Sequence, residues 1–211
     1  MNKLSIEDLD LSGKRVLMRV DFNIPQHEDG TVRDDTRIQA ALKSINYVRD
    51  NGGKLILMSH LGRPGKPESA ENEEEKAKII AKNATLKMDP VADHLRGLVG
   101  GNVTKVDDIV GPEVEAAVAA MQPGDIILLE NTRFNPGETK NDPALAEALA
   151  KLADVYVSDA FGTVHRAHCS TEGVTKFIEK SAAGFLVAKE MAYFGKVLSD
   201  PGRPLVAILG G

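Results

Sequence analysis

The apolar positions of the sequence form short, nearly continuous runs that alternate with longer stretches of helical spacing. Apolar residues three and four apart place one side of a helix against a core, whereas an uninterrupted apolar run is typical of a strand buried on both faces. Helices are predicted at residues 36–51, 90–99, 112–121, 142–152 and 182–198. Strands are predicted at residues 15–20, 54–59, 102–106, 125–129, 155–157 and 204–209. This alternation predicts an α/β fold with a parallel, Rossmann-like sheet covered by helices on both faces.

One stretch, residues 65–87, interrupts this alternation. It contains five glutamates and five lysines and few apolar residues. A run of charges is most often a solvated surface, so we expect an exposed loop with one helical turn around residues 76–84. A regulatory or partner-binding insert is the functional alternative for the same stretch.

Composition narrows the class of protein. The 211 residues are 42% apolar and 27% charged, as in a globular chain, and their number corresponds to about 1.4 average domains. No apolar run approaches the ~20 residues of a membrane helix, and the first ten residues lack the apolar region of a secretory signal. The single cysteine, Cys169, excludes a disulfide framework and fits a reducing compartment. A net charge of −5 and 4% aromatic residues argue against binding to nucleic acid or to acidic membranes.

Polar and basic residues follow the predicted strands, where the carboxyl ends of parallel strands form the ligand-binding edge of an open sheet. Guanidinium groups match the oxygens of phosphate and carboxylate in pairs, so several arginines at one edge predict an anion site. The residues concerned are Asp21 and Asn23 after the first strand, His60 and Arg63 after the second, Asn131 and Arg133 after the fourth, Asp159, His165 and Arg166 after the fifth, and Arg37 near the start of the first helix.

Each of these residues also has a structural interpretation when it is taken alone. A single arginine after a strand most often forms a surface ion pair, and His60 alone most often has a structural role. Asp21 and Asn23 are also typical of an Asx-turn. Only the recurrence of such residues at one edge favours a binding site.

Other site types find little support in the sequence. The phosphate loop Gly-x-x-x-x-Gly-Lys-Ser/Thr is absent, and no Gly-x-Gly-x-x-Gly follows the first strand. His165 and His168 are three residues apart, but no paired cysteine or carboxylate spacing supports a metal site, so no metal ligands are predicted. Cys169 has no evident general base and is expected in the core or in a turn.

Several segments closely resemble the phosphoglycerate kinase family. The resemblance runs in order along essentially the whole chain and covers about the first half of the family's length. The segments are Val20-Asp-Phe-Asn-Ile-Pro25, Ser59-His-Leu-Gly-Arg-Pro64, Leu129-Glu-Asn-Thr-Arg-Phe134, the stretch from Ser158 to His168, Ser181-Ala-Ala-Gly-Phe-Leu186, Ala188-Lys-Glu190 and Leu205-Val-Ala-Ile-Leu-Gly-Gly211. The segment between Arg63 and Pro90 is longer and more charged than the family pattern, and Leu86-Lys-Met-Asp-Pro90 stands in place of the usual Tyr-Ser-Leu-x-Pro.

The resemblance implies a transferase of glycolysis that moves a phosphoryl group between 1,3-bisphosphoglycerate and ADP, giving 3-phosphoglycerate and ATP. Matched by motif, Asp21 and Asn23 would contact the glycerate hydroxyl and backbone end. Arg37 would reach the transferring group as the catalytic residue. The 3-phosphate would be held by His60, Arg63, Arg133 and Arg166.

The resemblance also implies a division of the chain into parts. Residues 1–180 would form the triose-binding domain, 181–199 an interdomain helix, and 200–211 the first strand of a truncated nucleotide-binding domain. The Mg-ATP or Mg-ADP site of the complete enzyme would lie mostly beyond Gly211, so this fragment is expected to hold no cofactor and to be inactive alone. A cytoplasmic monomer is implied, whose partners are the triose and the missing nucleotide-binding domain. A non-catalytic anion- or phosphometabolite-binding module is the alternative from a different functional class.

Overall fold

The computed structural model describes residues 4–199, 202–206 and 208, and its central element is a six-stranded sheet. The strands lie in the order β3-β4-β2-β1-β5-β6, and every neighbouring pair is parallel. The prediction of an α/β fold with a parallel sheet is therefore confirmed. The strands are β1 (Arg15–Val20), β2 (Lys54–Met58), β3 (Val103–Lys105), β4 (Ile126–Leu128), β5 (Val155–Asp159) and β6 (Ser181–Ala183).

Helices connect the strands and cover the sheet. The helices are α1 (Thr36–Asp50), α2 (Glu73–Ala84), α3 (Asp89–Val99), α4 (Pro112–Ala120), α5 (Gly137–Lys140), α6 (Pro143–Lys151) and α7 (Phe185–Ser199). None of the helices in the described residues is long and apolar enough to span a bilayer.

Two alternating sets of side chains along β1 show how the sheet is buried on both faces. Val16, Met18 and Val20 belong to one apolar cluster, which also contains buried residues of α1 and α3. Leu17 belongs to the opposite cluster, with residues of α4 and α6. Arg19 follows Leu17 on that second face and is only 1% exposed. A charged side chain therefore occupies a buried position near the carboxyl end of β1.

The charged stretch contains a longer helix than the sequence pattern indicates. Helix α2 has twelve residues, not one turn, although none of its residues is buried, as expected for a solvated segment. Its start is set by Asn72, whose side chain accepts a hydrogen bond from the Glu75 amide at 2.8 Å. Three glutamates in the first turn stabilise the helix, because their negative charges lie at the positive end of the helix dipole. Capping and charge therefore build this helix, which a search for an apolar face does not detect.

The junction between β6 and α7 differs from the prediction of one helix over 182–198. Residues 181–183 pair with β5, and the helix begins at Phe185. Asp159, the last residue of β5, is buried and its Oδ1 accepts the Leu186 amide hydrogen bond at 2.9 Å. This side chain therefore holds the first turn of α7. The prediction that Asp159 belongs with the anion-binding residues is wrong. Burial raises the pKa of the Asp159 carboxyl.

The strand predicted at 204–209 is not formed in the described part of that segment. Positions 204–206 and 208 have no strand pairing, whereas positions 207 and 209 lie outside the described residues. A strand forms by hydrogen bonding to a neighbour, and the described residues offer these positions no neighbouring strand.

Gly184 is expected to be required for the β6–α7 junction. A Cβ at this position would lie 2.4 Å from Asp159 Cγ, so Gly184→Ala should destabilise the fold by about 1–3 kcal/mol through overpacking. The matched control is Gly97→Ala in α3, where a Cβ meets no atom within 4 Å and should stabilise the helix by about 0.5–1 kcal/mol. Urea denaturation of both variants measures the difference, and equal free energies of unfolding would contradict the steric argument.

Candidate functional site

The loops that follow β1, β2 and β4 meet at one residue, Gly62. Its amide donates to Asn23 Oδ1 at 2.8 Å, and its carbonyl oxygen accepts from Arg133 Nη1 at 2.7 Å. The φ angle of Gly62 is 59°, in the left-handed region that favours glycine. The glycine therefore allows two residues from distant parts of the sequence to meet at the same edge of the sheet.

Asn131, two residues before Arg133 in the loop after β4, is buried and hydrogen-bonds to the same loops. Its side chain is fully buried, and its Nδ2 donates to the carbonyl oxygens of Leu61 at 2.7 Å and Leu86 at 3.0 Å. Its Oδ1 accepts from the amides of Leu61 and Arg133, both at 3.1 Å. One amide side chain thus sets the positions of the segments that carry His60, Arg63 and Arg133.

Asp21 and Arg37 form an ion pair at the edge of this region. Arg37 Nη1 donates to Asp21 Oδ2 at 2.8 Å, and the arginine side chain is 50% exposed whereas the aspartate is 15% exposed. Asp21 Oδ1 also accepts from the Asn23 amide at 3.2 Å, which is the Asx-turn that the sequence offered as an alternative. The guanidinium of Arg37 is therefore held by Asp21 while half of the side chain remains exposed to solvent.

Three further arginines share a cavity of about 460 Å³. Arg63, Arg133 and Arg166 line it together with two lysines and His168, and Glu68 is the one carboxylate among the lining residues. Within the described residues, none of these three guanidinium groups forms an ion pair with a carboxylate. Burial and the nearby charges of Arg166, Arg19 and Arg63 lower the pKa of Arg133. The cavity therefore carries positive charge that the protein leaves without a direct partner.

His60 is nearly buried beside the same charges. Burial, together with the positive charges of Arg19, Arg133, Arg166 and Arg37, lowers the pKa of its imidazole from 6.5 to about 2. The imidazole is therefore neutral at every physiological pH, and it acts as a hydrogen-bonding group rather than as a cation.

This lowered pKa predicts an acid-sensitive contribution to stability. Below pH 6.5 the unfolded chain binds a proton at His60 that the folded chain rejects, so stability falls as the pH drops toward 2. When the pH is lowered from 7.5 to 5.5, the protonation of His60 in the unfolded chain should decrease the free energy of unfolding by about 1.4 kcal/mol. The measurement is urea denaturation at both pH values in the wild type and in His60→Gln. Equal losses in the two proteins would show that His60 titrates normally when folded.

From the sequence pattern, three buried residues that support the site are not evident. Arg19, Glu138 and Ser170 lie beneath it, all buried, and Arg19 Nε donates to Ser170 Oγ at 2.8 Å. The available signal was an arginine inside the apolar run of β1, which a buried strand does not tolerate without partners. His165 is exposed, and its Nε2 accepts from Arg166 Nε at 3.4 Å, so its contact is with a neighbouring site residue.

Cys169 lies in the core, as the sequence predicted. Its side chain is fully buried, and its Sγ is 3.2 Å from the carbonyl oxygens of both Gly137 and Asp142. Burial raises the pKa of the thiol to about 11, which keeps it protonated and unreactive.

Comparison with known proteins gives one consistent relationship. Residues 6–211 match the family model described as phosphoglycerate kinase. The chain is 56% identical over 211 residues to the phosphoglycerate kinase of Moorella thermoacetica and 52% identical to that of Herpetosiphon aurantiacus, covering 100% of this chain and 50% of each relative. It is similar to the solved phosphoglycerate kinase of Coxiella burnetii, with a TM-score of 0.80 and 34% identity over 100% of this chain and 49% of that chain. For the enzyme of Pyrococcus horikoshii OT3 the TM-score is 0.82 and the identity 28%, over 99% of this chain and 49% of that chain. The chain thus spans about half the length of the curated relatives it matches.

Proposed function

Because the chain belongs to the phosphoglycerate kinase family, we propose that it provides the triose-binding half of an enzyme transferring a phosphoryl group between 1,3-bisphosphoglycerate and ADP. The observation that carries this proposal is the cavity where Arg63, Arg133 and Arg166 converge without ion-pair partners among the described residues. Guanidinium groups without a carboxylate partner around one cavity favour a phosphate ligand, because its oxygens can accept two parallel hydrogen bonds from each guanidinium.

The positions of the remaining residues favour a ligand that extends from this cavity toward β1. We propose that Arg63, Arg133, Arg166 and the neutral imidazole of His60 bind the 3-phosphate. Asp21 and Asn23, on the loop after β1, would then contact the glycerate end. The carboxylate oxygen of 3-phosphoglycerate attacks the terminal phosphorus of ATP while the bond to the ADP oxygen breaks, and the reverse direction regenerates ATP. This chemistry needs alignment and charge stabilisation, with no side-chain nucleophile.

The Mg-nucleotide belongs, in this proposal, to the half of the relatives that this chain does not span. Among the described residues no group of three or more His, Cys, Asp or Glu side chains could hold a metal ion, and the sequence has no phosphate loop. Residues 1–180 form the triose-binding domain of the proposal, 181–199 the interdomain helix, and 200–211 the start of the nucleotide-binding domain. We also propose that the protein is a monomer in the cytoplasm.

Titration of the ¹⁵N-labelled chain with 3-phosphoglycerate tests the binding half of this proposal. Amide shifts are expected around Asp21, Arg37 and Arg133, with saturation below millimolar ligand. Inorganic phosphate is the control: it should bind more weakly, because it lacks the glycerate end. No shifts at millimolar 3-phosphoglycerate would contradict the proposal, and equal affinity for both ligands would favour a general anion-binding module. A coding sequence that continues past codon 211 into a nucleotide-binding half would support the kinase, whereas a stop codon there would favour the module.

Arg37 is expected to act on the transferring group in the complete enzyme. Its guanidinium is half-exposed and held by Asp21, so it can approach the equatorial oxygens of a phosphoryl group and offset their negative charge. Arg37→Ala should lower kcat by about 10³-fold or more, as the loss of a transition-state arginine does, and raise KM for 3-phosphoglycerate only modestly. Steady-state kinetics measure both quantities, with Arg33→Ala as the exposed control on the neighbouring loop. Equal losses in kcat and in triose affinity would remove Arg37 from the transition-state role.

A further inference from the structure

A buried hydrogen-bonded chain runs beneath the proposed phosphate site. Glu138 Oε1 accepts from Ser170 Oγ at 2.5 Å, Ser170 Oγ accepts from Arg19 Nε at 2.8 Å, and Arg19 Nη2 lies 3.0 Å from His60 Nδ1. Glu138 and Ser170 are completely buried, Arg19 is 1% exposed and His60 is 6% exposed. Four polar side chains from β1 and three separate loop or helix segments are thus connected inside the protein.

The donor and the acceptor of each hydrogen bond between Glu138, Ser170, Arg19 and His60 follow from the chemistry of the side chains. A guanidinium has donors and no acceptor, so Arg19 donates at both contacts. Ser170 Oγ receives one of those donors, and its own hydroxyl proton is directed to the Glu138 carboxylate. His60 Nδ1 must accept from Arg19, and therefore carries no proton of its own. Arg19 has no carboxylate within ion-pair distance in the described residues, so Glu138 acts on it through Ser170.

We propose that Arg19 is a positioning residue that keeps His60 in the neutral tautomer with its proton on Nε2. The role of this tautomer in ligand binding rests on the proposed function. In that function, His60 presents an N–H donor, never a lone pair, to the bound 3-phosphate. A phosphate oxygen would be repelled by an unprotonated Nε2. The other tautomer would also place an N–H donor against Arg19 Nη2, although the contacts of Arg19 with Ser170 Oγ and the Val20 carbonyl oxygen would remain. Arg19 thus selects the one form of the imidazole that suits an anion.

The surroundings of His60 are consistent with this role. Arg133, Arg166 and Arg37 all add positive charge near the imidazole, which disfavours a second proton on the ring. The Ser59 hydroxyl, next in the chain, accepts from the Phe22 amide at 2.8 Å and donates to the His60 carbonyl oxygen at 3.0 Å. The backbone of the histidine is therefore held as well as its ring.

Imidazole nitrogen NMR of the ¹⁵N-histidine-labelled chain tests the proposal directly. In the wild type, His60 should show the Nε2–H pattern from pH 5 to 8 without titration. In Arg19→Met, which keeps the length but removes the donors and the charge, His60 should become a tautomer mixture and begin to titrate within this range. Arg15→Met is the matched control, because Arg15 lies at the amino end of the same strand, pairs with Asp154 at 2.7 Å and should leave the Nε2–H pattern unchanged when replaced. Near-ultraviolet circular dichroism establishes that each variant is folded.

The outcomes separate this inference from the proposed function. An Nδ1–H pattern or a titrating His60 in the wild type would overturn the inference, even if Arg19→Met failed to fold. An unchanged pattern in a folded Arg19→Met would overturn it as well. The Nε2–H pattern in a chain that does not bind 3-phosphoglycerate would uphold the tautomer assignment and remove the proposed ligand. Where 3-phosphoglycerate binds, Arg19→Met should weaken it by about 10-fold or more, as the loss of a charge-assisted hydrogen bond does.

Discussion

Arg133→Ala is expected to weaken 3-phosphoglycerate binding to this chain by about 100-fold. Arg133 lines the cavity beside Arg63 and Arg166, and its Nη1 is anchored on the Gly62 carbonyl oxygen at 2.7 Å. An anchored guanidinium loses little conformational entropy when an anion binds, so its removal costs nearly the full charge-assisted interaction. Removing one of several like charges should also relieve repulsion in the empty site, so the free protein should keep or gain stability.

Isothermal titration calorimetry of the wild type and the variant measures the change in affinity. The matched control is Arg15→Ala, because Arg15 lies at the amino end of β1, opposite the site, and pairs with Asp154 at 2.7 Å. That variant should bind 3-phosphoglycerate as the wild type does. A loss of less than threefold in Arg133→Ala, or equal losses in both variants, would show that the cavity is not the phosphate site.

Asn131→Ala is expected to destabilise the fold by about 3–5 kcal/mol, the largest effect on stability predicted for any of the site loops. The substitution leaves the carbonyl oxygens of Leu61 and Leu86 and the amides of Leu61 and Arg133 without their side-chain partner in a fully buried place. Each buried polar group left unpaired costs about 1–3 kcal/mol, and water does not easily replace the amide there. The loop that carries Arg63 should therefore loosen along with the one that carries Arg133.

Urea denaturation and 3-phosphoglycerate titration of Asn131→Ala measure both consequences. Asn51→Ala serves as the control, because Asn51 is exposed at the end of α1 and makes one side-chain hydrogen bond, to the Tyr47 carbonyl oxygen at 2.8 Å. It should change stability by less than about 1 kcal/mol. If the Asn131 variant retained wild-type stability, the loops would be held by other contacts. If it retained wild-type affinity in spite of lower stability, Asn131 would have no part in shaping the site.

Local features of the sequence were sufficient to predict β1 to β5 and the arginines that follow β2, β4 and β5. The apolar run over 15–20 predicted β1 because a strand buried on both faces needs apolar residues at every position, and most of this run provides them. The same pattern failed for β6, because three residues are too few to show a period and because the pairing with β5 is a contact distant in sequence. The pattern also predicted too short a helix at α2. This helix is stabilised by its N-cap and its charges and has no buried apolar face that a pattern could detect.

Local features could not distinguish a site residue from a structural one. Asp159 ends β5 and Asp21 follows β1 at the same edge of the sheet, and the residues next to them in the sequence do not distinguish their roles. In the folded chain Asp159 meets the start of α7, whereas Asp21 meets Arg37. The partner that decides each role lies 16 or more positions away along the chain, so the role appears only when the chain has folded.

The sequence by itself determined the fold class and predicted that basic residues gather at the carboxyl edge of the sheet, because hydrophobic periodicity and the residues that follow each strand are local features of the chain. Only the tertiary structure decided how those residues are held and in which form. Burial and long-range contacts hold Arg19 against His60, fold the loops around Asn131 and turn Asp159 away to cap a helix. A buried group's charge and tautomer depend on every neighbour that replaces water around it, and those neighbours come from parts of the chain that meet only in the folded protein.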